Sequence, residues 1–294
     1  MNWLLLGLIS AFFAAIQFSL KSRLAQDKRL DSIIGFFTYL AASIFLYIFY
    51  FLFKGNIFDF SALSEKFWLM IGIHCVLEVI AILALFRAFR LADLSYLMPL
   101  LTISSVSVII PAWIFFGEKV SLIGFFGIIL AISGAILIDY GVKQKKEKKE
   151  KKQAKLMLLI VLLAWSFTPI LRKEAIILSS AASTAIILHF LIALTFVIPF
   201  FLRKEYKILS EKEWRLPKHF YLDLLGISIS AAIAHLSNYL ALANGLVAYA
   251  MALKEITPIF VFIIAFFLFK EKNDLWKKLI ATILAVIGTI LISL

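Results

Sequence analysis

Apolar residues run through the chain in ten long blocks, at approximately 2–20, 33–53, 67–89, 94–116, 121–141, 156–173, 181–202, 219–243, 247–269 and 276–294. Each block is long enough to cross a hydrocarbon core of about 30 Å, which takes around 20 helical residues. The pattern predicts an all-α, multi-pass membrane protein of ten transmembrane helices. No positive residue precedes the first block, whereas Lys21 and Arg23 follow it, which favours a retained anchor over a cleaved signal. Between blocks five and six lies KQKKEKKEKKQAK, 143–155, a low-complexity basic run that cannot bury apolar surface and reads as a solvated linker. It divides the chain into a first five-helix repeat (1–141), a linker (142–155) and a second five-helix repeat (156–294). An odd number of spans per half turns the second copy upside down relative to the first, the inverted-repeat architecture of many secondary transporters.

The two halves echo each other in detail. AYAMALKEITPIFVFIIAFFLFKEK, 248–272, is preceded by SYLMPLLTISSVSVIIPAWIFFGEK, 95–119, in which Tyr96, Met98, Leu100, Phe116, Glu118 and Lys119 repeat Tyr249, Met251, Leu253, Phe269, Glu271 and Lys272 at constant offset. After a one-residue insertion, GIILAISGAILI (127–138) matches ATILAVIGTILI (281–292) at seven of twelve positions, Gly134 falling on Gly288. The shared Glu-Lys pair and the glycine in register make duplication the better explanation than chance in apolar sequence.

Composition agrees: 63% of the residues are hydrophobic and 16% charged, against a soluble average of roughly 45–50% and about 25%. The net charge of +12 would point to nucleic acid in a soluble protein. Here the basic residues sit in short loops between spans, so membrane lipids with anionic headgroups are the expected partners, and nucleic acid is not. Loops after odd-numbered spans hold 24 of the 30 Lys and Arg residues, and even-numbered loops hold five. That asymmetry places the linker in the cytoplasm of a cell (inner) membrane protein and both termini outside. The single cysteine, Cys75, supports neither a disulfide framework nor a cysteine metal site.

Charges and histidines inside spans are costly, about 2.5–3.5 kcal/mol each on insertion scales, and need a partner or a wet cavity. His74 and Glu78 lie one turn apart in span three, on one face, where they are able to share a proton or a hydrogen bond. In span eight, the counterpart of span three, His235, Asn238 and Tyr239 likewise share a face. Both stripes line a common cavity on one reading, and are interhelical hydrogen bonds that help the bundle pack on the other. Lys254 and Glu255 are adjacent and point about 100° apart, so each must look to another helix or to water. Pro258 leaves the Lys254 carbonyl without its helical bond. A cation, a free carbonyl and a kink then coincide where transporters commonly bind ligands. Lys254 is therefore the candidate anchor for a carboxylate or phosphate, against the alternative of a structural ion pair. Gln17 and Trp165 are weaker cavity candidates, each shortly before a basic helix end. His189 stands alone on an apolar face and reads as packed, and Arg87, Arg90 and His219 read as interfacial. No phosphate loop, nucleophile elbow or paired acidic motif is found, and the three in-membrane histidines lie on different spans, so no metal, no cofactor and no catalytic residues are expected.

Ten spans, two halves, and the pattern Ala-(x7)-Tyr-x-Met followed by Phe-x-Glu-Lys and a Gly-containing helix resemble the drug/metabolite transporter superfamily, its EamA-like family above all. The residues behind this are Ala88, Tyr96, Pro99, Phe116, Gly117, Glu118, Gly127 and Gly134 in the first half, and Ala241, Tyr249, Pro258, Phe269, Glu271 and Gly288 in the second. Two departures are Ser105 where the second half has Pro258, and Lys270 where the first has Gly117. The resemblance implies both termini in the cytoplasm, the opposite of the charge count. It also implies a secondary transporter, not an enzyme, working by alternating access on a small-molecule substrate, as monomer or homodimer. The substrate expected is a small polar metabolite, amino acid or organic anion-like. Glu78 with His74 is the candidate proton-coupling pair, and protons a possible partner. The alternatives are a nucleotide-sugar or sugar-phosphate carrier, a multidrug exporter and, more remotely, a membrane-embedded enzyme.

Overall fold

The structure is a computed structural model that describes residues 3–26, 30–54, 63–117, 119–141, 148–209, 219–244, 256–268 and 274–292. Among these residues all regular structure is helical. The first half contains α1 (Trp3–Leu24), α2 (Asp31–Lys54), α3 (Glu65–Leu91), α4 (Leu94–Leu101), α5 (Ile103–Ser107), α6 (Ile109–Phe116) and α7 (Leu122–Gly141). The second contains α8 (Lys148–Ile177), α9 (Ala181–Thr195), α10 (Val197–Leu202), α11 (Tyr206–Leu209), α12 (Phe220–Asn244), α13 (Thr257–Leu268) and α14 (Leu275–Ile292). Six stretches among the described residues are long and apolar enough to cross a membrane: those of α1, α2, α3, α8, α9 with α10, and α12. Large apolar side chains on their outer faces, such as Leu52, Leu202 and Leu222, stand exposed, as a lipid-facing surface requires.

Besides the break of the expected span 181–202 into α9 and α10 at Phe196, two segments differ from the expected spans. The block 94–116 forms three helices in place of one. Pro99 and Pro111 each lack an N–H for the ladder, while Thr102 Oγ1 donates to the Pro99 carbonyl at 2.6 Å and Ser107 Oγ to that of Ser104 at 2.8 Å, competing for the same acceptors. The junction residues Thr102 (φ −62°, ψ −21°) and Val108 (φ −70°, ψ −19°) remain right-handed, so the path continues in the same sense. Gly117, at φ 66°, closes α6 in the left-handed conformation that a side chain would resist. The second difference is the start of α8 at Lys148, inside the basic stretch. Lys, Glu and Gln are good helix formers, and Glu150 in the first turn complements the helix dipole.

The halves pack crosswise. α3 lies along α8, α1 along α12, α2 along α9 and α7 along α14. Exchanging the repeats turns the α1–α12 pair into the α8–α3 pair and returns α2–α9 and α7–α14 to themselves, the pattern a two-fold relation generates. The α7–α14 contact is reciprocal down to the atom. A Cβ on Gly134 would lie 2.7 Å from the Ala281 carbonyl oxygen, and one on Gly288 2.6 Å from that of Gly127. Small residues at the crossing let two backbones touch.

Charged helix ends bring the loops after spans one, three and seven, and the starts of α8 and α14, to one end of the molecule. Arg23, closing α1, grips Asp223 of α12 with two nitrogens. Asp31, opening α2, receives Arg90 of α3 at 2.7 and 2.8 Å and Arg203 beyond α10 at 3.0 Å. Glu205 accepts from the Ser32 N–H and hydroxyl at 3.1 and 2.9 Å. Lys278 of α14 lies 3.5 Å from Asp93 before α4, and Lys151 of α8 stands over the Tyr96 ring of α4. Arg90, expected to snorkel, is instead folded inward onto Asp31 because that buried carboxylate needs a counter-charge.

Candidate functional site

Where the halves meet, α1, α2, α3, α4, α5, α8, α12 and the start of α13 surround a cavity of about 60 Å³, room for a handful of waters at roughly 10–15 Å³ each. Helical periodicity puts its polar residues there. Gln17 and Lys21 lie one turn apart on α1; Trp165, Thr168 and Arg172 lie at i, i+3 and i+7 on α8; His235 and Asn238 at i and i+3 on α12. Glu78 comes from α3, Ser104 from α5, and Thr257 and Pro258 from the first turn of α13. Pro169, also in the wall, has no N–H for the Trp165 carbonyl one turn back.

Glu78 is held on both oxygens. The Tyr39 hydroxyl donates to Oε1 at 2.7 Å and the Trp165 indole N–H to Oε2 at 3.2 Å. Lys21 Nζ sits 5.3 Å from the centre of the Tyr39 ring, a cation over a π-face. Across the cavity Arg172 donates from a terminal nitrogen to Asn238 Oδ1 at 2.8 Å and covers the Tyr239 ring at 4.9 Å. Three donors in the wall have no acceptor among the described residues: Arg172 Nε, Asn238 Nδ2 and Gln17 Nε2. Their side chains are almost wholly buried, at 6%, 2% and 3% exposure.

Five residues singled out in sequence thus line one cavity: Gln17, Glu78, Trp165, His235 and Asn238. His74 and Tyr239 do not. The bonds of Glu78 run to Tyr39 and Trp165, while His74 turns to the backbone of Thr168 on α8. Tyr239 is fully buried beneath Arg172. His189 Nδ1 bonds the Ala185 carbonyl at 2.7 Å, its ring packed against those of His235 and Tyr39, behind the cavity wall. Lys254 and Glu255 lie outside the described residues. Sequence reasoning missed Tyr39, Lys21 and Arg172 as wall residues. Lys21 and Arg172 read as helix ends, yet their spacings of four from Gln17 and seven from Trp165 were the available signal.

A chain of apolar membrane-length helices, paired crosswise around a charged internal cavity, is a multi-pass membrane protein built for polar contents. The chain belongs to the EamA-like transporter family: the family's model matches 1–140 and again 153–294, once per half, and this makes it a membrane transporter of the drug/metabolite type. Among solved structures, a crystal structure of a protein 13% identical in sequence shares the fold, with a TM-score of 0.71 over 99% of this chain and 96% of that one. Among curated proteins, none matches the sequence.

Proposed function

We propose that the protein is a secondary transporter of ten spans, arranged as two inverted five-helix repeats, that carries a small polar metabolite across the cell membrane by alternating access. The observation that carries this reading is the cavity itself: polar, charged, and walled by equivalent helices of both halves, where relative movement of the halves changes access. The crosswise helix pairs support the two-fold relation, and the odd span number per repeat supports inversion. The gathered basic end is the cytoplasmic one by the positive-inside rule. Glu78 is the proton-coupling group.

Purified protein in proteoliposomes tests this. A pH gradient is expected to drive uptake of a solute that wild type also exchanges, and Glu78→Gln is expected to abolish the gradient-driven part while leaving exchange. Gradient-driven uptake undiminished in Glu78→Gln excludes the coupling role. Two cations in the wall, Lys21 and Arg172, favour a phosphorylated substrate as second reading, but the volume suits only a few heavy atoms and Glu78 opposes a polyanion. The same cations disfavour a multidrug exporter of lipophilic cations.

A further inference from the structure

The unpartnered atoms of the cavity wall have one chemical character. Arg172 Nε, Asn238 Nδ2 and Gln17 Nε2 are all donors. The orientation of the Asn238 amide is set independently, because its oxygen already accepts from Arg172, which leaves its nitrogen unsatisfied. Buried donors without acceptors are destabilising, and a cluster of them beside a cavity calls for an acceptor from elsewhere. Charge narrows the class. Among the described lining residues Lys21 and Arg172 are cationic and Glu78 is anionic, a net of one positive charge. A monoanion balances it, whereas a dianion would leave a negative charge buried without a counterpart.

We infer that Arg172, Asn238 and Gln17 form a carboxylate subsite, and that the solute is a small monocarboxylate whose oxygens accept from these three donors. This deepens the transport reading and rests on it for the site's purpose. The planar guanidinium suits a carboxylate, with one face on Tyr239 and one terminal nitrogen fixed by Asn238, leaving Nε to the ligand. The short volume restricts the rest of the molecule to a few heavy atoms. Glu78 lines the same cavity with both oxygens engaged by Tyr39 and Trp165, so it offers the anion no donor.

The test is thermal unfolding of the full-length purified protein with pyruvate, glycine, inorganic phosphate or tetraphenylphosphonium. Pyruvate is expected to give a saturable rise in Tm that exceeds the effect of the other three. Arg172→Gln and Gln17→Glu are each expected to weaken its apparent affinity at least tenfold. Gln17→Glu guards against misfolding at Arg172, since it preserves shape and replaces a donor with a repelling carboxylate. Stabilisation by phosphate or by the lipophilic cation but not by pyruvate overturns the subsite, as does unchanged affinity in both variants. Proteoliposome uptake separates the two ideas. Transport of another solute without pyruvate binding leaves the transporter standing and removes the subsite. Pyruvate binding lost in both variants, with no translocation of any of the four, does the reverse.

Discussion

At the residue scale the buried carboxylate of Glu78 decides what its neighbours do. A carboxylate away from water needs donors on both oxygens, and Tyr39 and Trp165 supply them from two other helices, one in each half. Removing the hydroxyl with Tyr39→Phe leaves one oxygen bare, which is expected to cost about 1–3 kcal/mol of stability. Glu78→Gln keeps an acceptor for Tyr39 but turns its NH2 toward the Trp165 N–H, so it is expected to cost a similar amount. The checking measurement is the double-mutant cycle in thermal or denaturant unfolding. A stability in Tyr39→Phe equal to wild type means the 2.7 Å bond contributes nothing net.

At the scale of the element, the sequence echo turns out to be an interface. Gly134 and Gly288, in register in the two copies, each press on the other copy's small residues. A methyl group at either must displace backbone, so Gly134→Ala and Gly288→Ala are each expected to lose about 1–3 kcal/mol. Gly72, in the middle of α3, meets nothing within 4 Å, so Gly72→Ala is expected to be neutral or to stabilise by about 0.5–1 kcal/mol through helix propensity. Thermal unfolding of the three variants side by side checks this, and equal losses in all three refute the close-packing account. The same contrast shows what sequence alone conveys. The apolar blocks and the glycine register were legible because period and duplication are local properties of the string. The cavity stripes of Gln17, Glu78 and Asn238 were legible because a polar residue in an apolar block needs a reason. Arg172 was misjudged as a helix end because the apolar run stops just before it, whereas α8 continues to Ile177 and carries it inward. The partnership of Arg172 with Asn238 spans 66 residues of chain, and no local pattern announces such a pair. The breaks at Thr102 and Val108 depended on hydroxyl back-bonding that competes evenly with the helix, a balance that residue types do not decide.

At the scale of the whole molecule, the basic end is tied together across the repeats. Arg23 with Asp223, Asp31 with Arg203, Ser32 with Glu205 and Asp93 with Lys278 each join a first-half residue to a second-half one. On the proposed alternating-access reading, passage of a solute through this end requires these ties to part, and their strength then sets how long the end stays closed. Glu205 makes that strength depend on pH. Burial pushes its carboxyl up from the ordinary value of 4.5, against the opposing pull of the Ser32 hydroxyl and Arg203, and Asp31 adds to the rise. A carboxyl raised in the folded state contributes stability that is complete below the unfolded value and is lost as pH rises through the folded one. Wild type is therefore expected to lose stability relative to Glu205→Gln as pH rises from the ordinary value of 4.5 through the raised folded-state value, since the amide keeps an acceptor for Ser32 and does not ionise. Thermal unfolding of both proteins across that range gives the difference directly. If the difference stays flat, the pull of Ser32 and Arg203 balances burial, and the Glu205 tie holds the basic end equally at every pH in the window. If it widens with pH in favour of Glu205→Gln, alkalinity on that side loosens the tie, and the variant is expected to turn over more slowly than wild type at high pH because its closed end opens less often.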